Sequence, residues 1–125
     1  MYDTLGFATV DGERDLAING RVLSSLIRTG GKRLALGDPA LIKQLLRRAA
    51  ASLPSGRCPL YRCAQCGDLA CGAITVRVTE VDDWFVWSEL SLETPTGGGR
   101  DVDWYDDRDE RAFYFARAHY LATIY

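Results

Sequence analysis

Four cysteines fall within residues 58–71, in the run Cys58-Pro-Leu-Tyr-Arg-Cys63-Ala-Gln-Cys66-Gly-Asp-Leu-Ala-Cys71, and the chain has no others. The spacing is C-x4-C-x2-C-x4-C. A C-x2-C pair followed by glycine has the form of a zinc knuckle. Its tight turn aims two thiolates at one ion, and Gly67 permits the positive φ such a turn often needs. Cys58 and Cys71 flank the pair symmetrically, so Cys58, Cys63, Cys66 and Cys71 are the candidate ligands of a closed, structural tetrahedral zinc site. A variant set takes Cys63, Cys66 and Cys71 with His119, the only histidine.

Other chemistry fits the same residues. Four cysteines allow three disulfide connectivities, which a reducing compartment disfavours. They can also stay reduced and pack as small apolar groups. A redox pair at Cys63 and Cys66, with Cys71 resolving, is a further reading. Such pairs usually open a helix whose amides lower the thiol pKa, whereas Gly67-Asp68 here lead into a strand pattern.

The rest of the chain is ordinary for one globular domain over residues 1–125, with 47% apolar and 26% charged residues. The start, Met1-Tyr2-Asp3-Thr4, lacks the basic segment and apolar core of a secretory leader. The apolar runs are too short to span a bilayer. The expected location is the cytoplasm, with no membrane partner. Seventeen acidic against fifteen basic residues give a net charge of −2, which argues against nucleic acid as a partner. The cluster Lys43, Arg47 and Arg48 reads as the solvated face of a helix.

Apolar patterning orders the elements. A first strand covers Leu5 to Val10, and Asp11-Gly12 ends it. Leu16-Ala17-Ile18 and Arg21-Val22-Leu23 flank Asn19-Gly20, a strong hairpin signal, and residues 24–28 extend that strand or turn helically. Thr29-Gly30-Gly31-Lys32 breaks the pattern. Asp38 and Pro39 begin a helix over 39–53, with Leu41, Ile42, Leu45, Leu46, Ala49, Ala50 and Leu53 on one face. Strand periodicity returns at 74–78 and, after Asp82-Asp83, at 84–90. Residues 94–101 read as a loop. Asp107 or Asp109 caps a final helix through about residue 121, lined by Phe113, Ala116 and Tyr120. The order predicts an α+β fold: a mostly antiparallel sheet, two main helices on one face and a cysteine-rich knuckle.

The stretch from Leu60 to Ala73, the strand pair from Ile74 to Glu89, and Phe113-Tyr114-Phe115-Ala116-Arg117-Ala118-His119-Tyr120 carry a resemblance. Together they are similar to a family of small uncharacterised bacterial proteins with C-x-x-C-G-D-x-x-C-G-A, then a strand pair ending in W-S-[DE] and an F-x-F helix entry. The resemblance covers roughly 58–121 and implies that element order. Ala70 stands where the family often has glycine, and Cys58 lies outside the shared motif.

Established catalytic patterns are absent. No G-x-G-x-x-G, Walker loop or G-x-S-x-G elbow occurs. The acidic run Asp101, Asp103, Asp106, Asp107, Asp109 and Glu110 lacks the order of a calcium loop and reads as a solvated loop. Within it, Trp104 and Tyr105 are the kind of rigid aromatic anchors that interfaces favour. The expected function is a non-catalytic protein-interaction domain, an immunity-type role being one form of it, with a structural cysteine knuckle. The alternative is a thiol redox protein.

Overall fold

Two-residue turns organise the first strands. β1 (Leu5–Val10) and β2 (Glu13–Ile18) meet through Asp11-Gly12, and β2 passes to β3 (Arg21–Val22) through Asn19-Gly20. Asp11 and Asn19 have φ of 51° and 54°, and both glycines have φ of 80°. Positive φ at both central positions is the type I′ geometry, whose twist matches that of the strands. A single 3-10 turn, Leu23–Ser25, follows. The computed structural model describes residues 2–29, 32–34, 39–50, 53, 55–62, 72–93 and 99–124.

The later elements are β4 (Arg33–Leu34), α1 (Pro39–Leu45), β5 (Cys58–Arg62), β6 (Ala73–Val81), β7 (Trp84–Glu93) and β8 (Gly99–Asp101). A 3-10 turn (Asp107–Asp109), β9 (Phe113–Ala116) and α2 (Arg117–Ile124) complete them. The α+β class and the antiparallel strand pairing are as read from sequence. The strands form two sheets rather than one: β1-β2-β3, and a larger sheet ordered β4-β5-β6-β7-β8 with β9 also on β7. Among the described residues no helix is long and apolar enough to cross a membrane.

Three expectations need correction. The helix read over 39–53 stops at Leu45. The Arg47 amide bonds back to Gln44 and the Arg48 amide to Lys43, with Arg47 at φ 60°. That left-handed residue closes the helix in a Schellman arrangement, a geometry usually signalled by glycine. Leu46 and Leu53 keep their buried places outside the helix. The final helix starts at Arg117, not near Asp107. Phe113 and Phe115 are buried while Tyr114 is exposed, a period of two, because this segment pairs along β7 as β9. Asp106, rather than Asp107 or Asp109, accepts the capping bond from the Arg108 amide. Part of the expected 94–101 loop is strand, since β8 pairs with residues 91–93 of β7.

The interior is aromatic. Phe85 of β7 stacks on Tyr120 of α2 at 4.3 Å between centroids, and Trp87 meets both Phe115 and Tyr120 edge-on. The Tyr120 hydroxyl accepts from Trp87 Nε1 (3.1 Å) and donates to the Leu45 carbonyl (2.9 Å), so one buried oxygen joins α2, β7 and α1. On α2, His119 Nε2 accepts the Leu5 amide at 2.8 Å and anchors the start of β1.

Asp3 fastens the N-terminal segment to β9. Its buried carboxylate accepts from Arg111 (2.6 and 3.0 Å), Asn19 Nδ2 (2.8 Å) and the Tyr114 amide (2.9 Å). The Arg111 guanidinium, helped by Asn19 and the Tyr114 amide, holds this carboxyl at about 2 against the upward push of burial. The folded value lies below the unfolded one, so the stabilisation is present above about pH 4 and is lost as pH falls towards 2. Asp3→Asn is expected to cost on the order of 2 kcal/mol at pH 7 and to shrink the stability lost between pH 4 and 2. Urea denaturation across that range checks it, and a variant as acid-sensitive as the parent would sink the assignment.

Candidate functional site

β5 places the first cysteine. Cys58 pairs with Val76 of β6 and is 3% exposed, within the main hydrophobic cluster. Burial pushes its thiol up to about 11, with Arg47 pulling weakly the other way. It is a free thiol. Cys63, Cys66 and Cys71 lie outside the described residues. Their brackets, Arg62 and Gly72, stand at the same end of the β5–β6 pair, because Tyr61 is opposite Ile74. Cys58 is four residues back along β5 from Arg62, about 13 Å at strand rise. An ion shared by all four cysteines would have to lie within reach of the Cys58 thiol as well as of that end of the sheet. His119, the variant ligand, commits its Nε2 to the Leu5 amide. Among the described residues no three metal-binding side chains converge.

The two expected aromatic anchors separate. Trp104 is half-buried, forms a bridge with Ile27 and packs near Phe113 at 6.4 Å between centroids. Tyr105 is 55% exposed, and Arg28 lies over its ring at 4.6 Å. The loop is thus part packing element and part surface.

A cleft of about 350 Å³ between the small sheet and β4–β5 escaped the sequence reading; its lining includes Asp15, Arg14, Ser24, Lys32 and Tyr61. At its floor the buried Asp15 carboxylate accepts from the Tyr61 hydroxyl, the Ser24 hydroxyl, the Leu16 amide (2.8 Å) and the Ser24 amide (3.4 Å). Burial, and Asp15 beside it, push the Tyr61 hydroxyl well above its ordinary range, so it remains a proton donor. Ser24 lends its proton to the same carboxylate. Asp15 is therefore fully occupied by protein groups, and its chemistry is that of a clasp between sheets. Lys32 leads from this cleft to the far end of the cysteine segment. A Cβ on Gly72 would lie 3.9 Å from Lys32 Cε.

A second cluster is solvent-facing. On the outer face of the large sheet Val81 is opposite Trp84, and Val86 opposite Tyr114. Tyr2 approaches Trp84 at 6.0 Å between centroids. Tyr2, Val81 and Tyr114 are 54%, 48% and 49% exposed. The alternation that buries Phe85, Trp87, Phe113 and Phe115 leaves these residues outward. The sequence carried that signal, but the helical reading of 113–116 hid it.

No family model, curated protein or solved structure matches the chain.

The clasp generates an expectation. Tyr61→Phe leaves a buried carboxylate short of one donor and is expected to cost about 1–3 kcal/mol. Chemical denaturation measures it, and an unchanged midpoint would show that the phenol–carboxylate bond does not hold the sheets.

Proposed function

We propose that the domain is a non-catalytic protein-interaction module that engages a basic protein surface through the outer face of the large sheet. The observation that carries this is the continuous patch of Tyr2, Val81, Trp84, Val86 and Tyr114, large side chains gathered on one face. Exposed groups of apolar residues of this kind mark interaction sites, and aromatic residues supply much of the binding energy there. Asp82 and Asp83 are exposed at the tip of the β6–β7 hairpin beside the patch, whereas the nearby Glu80 is paired with Arg117. The two tip carboxylates suit Lys or Arg, which also lie well over tyrosine and tryptophan faces. An immunity-type role, in which a small acidic domain neutralises a basic protein, is the biological form of this reading.

In the same proposal the cysteine segment is a structural zinc knuckle. The pairing that sets Arg62 and Gly72 at one end of the sheet supports a closed loop there. Thiolates of Cys63, Cys66 and Cys71 are the natural ligands. Cys58, buried in the core, is the member whose participation demands the most of the loop.

Two measurements test the reading. Affinity capture is expected to retain a basic protein on the wild type and lose it on Tyr114→Ala and on Asp82→Asn/Asp83→Asn, at unchanged melting temperature. Retention that ignores these substitutions would sink the surface assignment. Elemental mass spectrometry on protein purified in reducing, chelator-free buffer is expected to find about one zinc per chain, lost in Cys63→Ser together with stability. Metal-free protein with freely titrating thiols would replace the knuckle by redox or packing cysteines.

A further inference from the structure

Among the described residues the small sheet has an open edge at β1. Val10 and Glu13 flank a two-residue turn, and the Asn19 amide bonds to the Thr4 carbonyl at 2.9 Å. Those two closures set the alternation of the β1–β2 ladder: residues 4, 6, 8 and 10 of β1 bond inward, while residues 5, 7 and 9 point their N–H and C=O groups outward. The outward groups of Leu5 are used. Its N–H donates to His119 Nε2, and its C=O accepts from the Thr123 hydroxyl at 3.4 Å. The outward groups of Phe7 and Thr9 meet no partner among the described residues. β1 carries no charge, no proline and no bulge, which are the devices that ordinarily protect an edge.

We propose that this edge pairs antiparallel with β1 of a second copy of the chain, about a two-fold axis at Ala8. Phe7 then exchanges both backbone hydrogen bonds with Thr9 of the second copy, and symmetry repeats the pair for four bonds in all. Ala8 faces Ala8, two small groups at the close-approach position of the ladder. Gly6 faces Val10. A Cβ at Gly6 would meet nothing within 4 Å, so the space above it is open, and Val10 is 39% exposed. Large therefore meets small across the axis on this face.

The edge selects a second copy over an unrelated strand for two reasons. Like strands without charge juxtapose at no electrostatic cost, and the sizes along Gly6–Val10 complement their own reversed order. The available length also matches. α2 closes the edge at Leu5, and in this register the incoming β1 ends at its own Asp11-Gly12 turn as it reaches that point. Neither copy has to move its helix. This surface is separate from the Tyr2–Trp84–Tyr114 patch, so either proposal can fail alone.

Sedimentation velocity over about 5–500 μM is expected to show a reversible monomer–dimer equilibrium. Thr9→Pro removes an outward N–H that β2 does not use, so the hairpin keeps its ladder. The dissociation constant should rise by about tenfold or more while the melting temperature holds. Should Thr9→Pro disturb folding, Ala8→Cys decides. Facing residues at a position of this type lie about 4.5 Å apart at Cα, within disulfide reach. Mild oxidation should then join two chains through the introduced thiols, and Val81→Cys on the large sheet should not. A monomer at every concentration, a dimer indifferent to Thr9→Pro in folded protein, or equal cross-linking at Ala8 and Val81 would each overturn the proposal. Protection of the Phe7 and Thr9 amides only by an added unrelated peptide would do so as well.

Discussion

The bond between the Asp15 carboxylate and the Tyr61 hydroxyl joins two sheets that, among the described residues, share no ladder of their own. A carboxylate taken out of water is costly unless every lone pair is met. Here β2 supplies the acid, β5 the phenol, and the turn after β3 a serine hydroxyl and amide. Because the donors come from three elements, the acid is satisfied only when all three are in place. Asp3 repeats the device on the other side, drawing Arg111, Asn19 and a β9 amide together. The apolar interior supplies most of the driving force, as in any small domain. The two carboxylates decide which arrangement of sheets that force stabilises.

The same economy shapes the chemistry. Buried and half-buried polar groups that would be reactive in the open are spent on internal bonds: Ser24 and Tyr61 on Asp15, His119 on the start of β1, Tyr120 on Trp87 and the end of α1. What the fold leaves unspent lies outside, as aromatic rings and backbone edges. Those are the currencies of recognition.

How much the sequence revealed depended on whether the signal was local. Asn19-Gly20 and Asp11-Gly12 were legible because only a few residue types adopt left-handed backbone cheaply, and the hairpins stand where those pairs do. The β6–β7 pair was legible from alternation. The helix end was not, because Arg47 takes a conformation that glycine usually advertises. Residues 113–116 were misread because Phe113, Ala116 and Tyr120 also suit a helical spacing; pairing to β7, a non-local contact, decided for strand. The site was less legible still. Asp15 is an unremarkable acid in a strand until Tyr61, 46 positions away, folds against it. Cys58 looked like the outer member of a metal motif and sits inside the core, while the other three cysteines lie outside the described residues.

Cys58 gives the molecule a built-in clock. A thiol reacts as its thiolate, and this one is both hidden and held protonated near neutral pH. An alkylating reagent must therefore wait for β5 to separate from its surroundings. Its modification rate reads the frequency of that opening, on the native protein and without denaturant. A thiol this inaccessible thus reports how often the interior breathes.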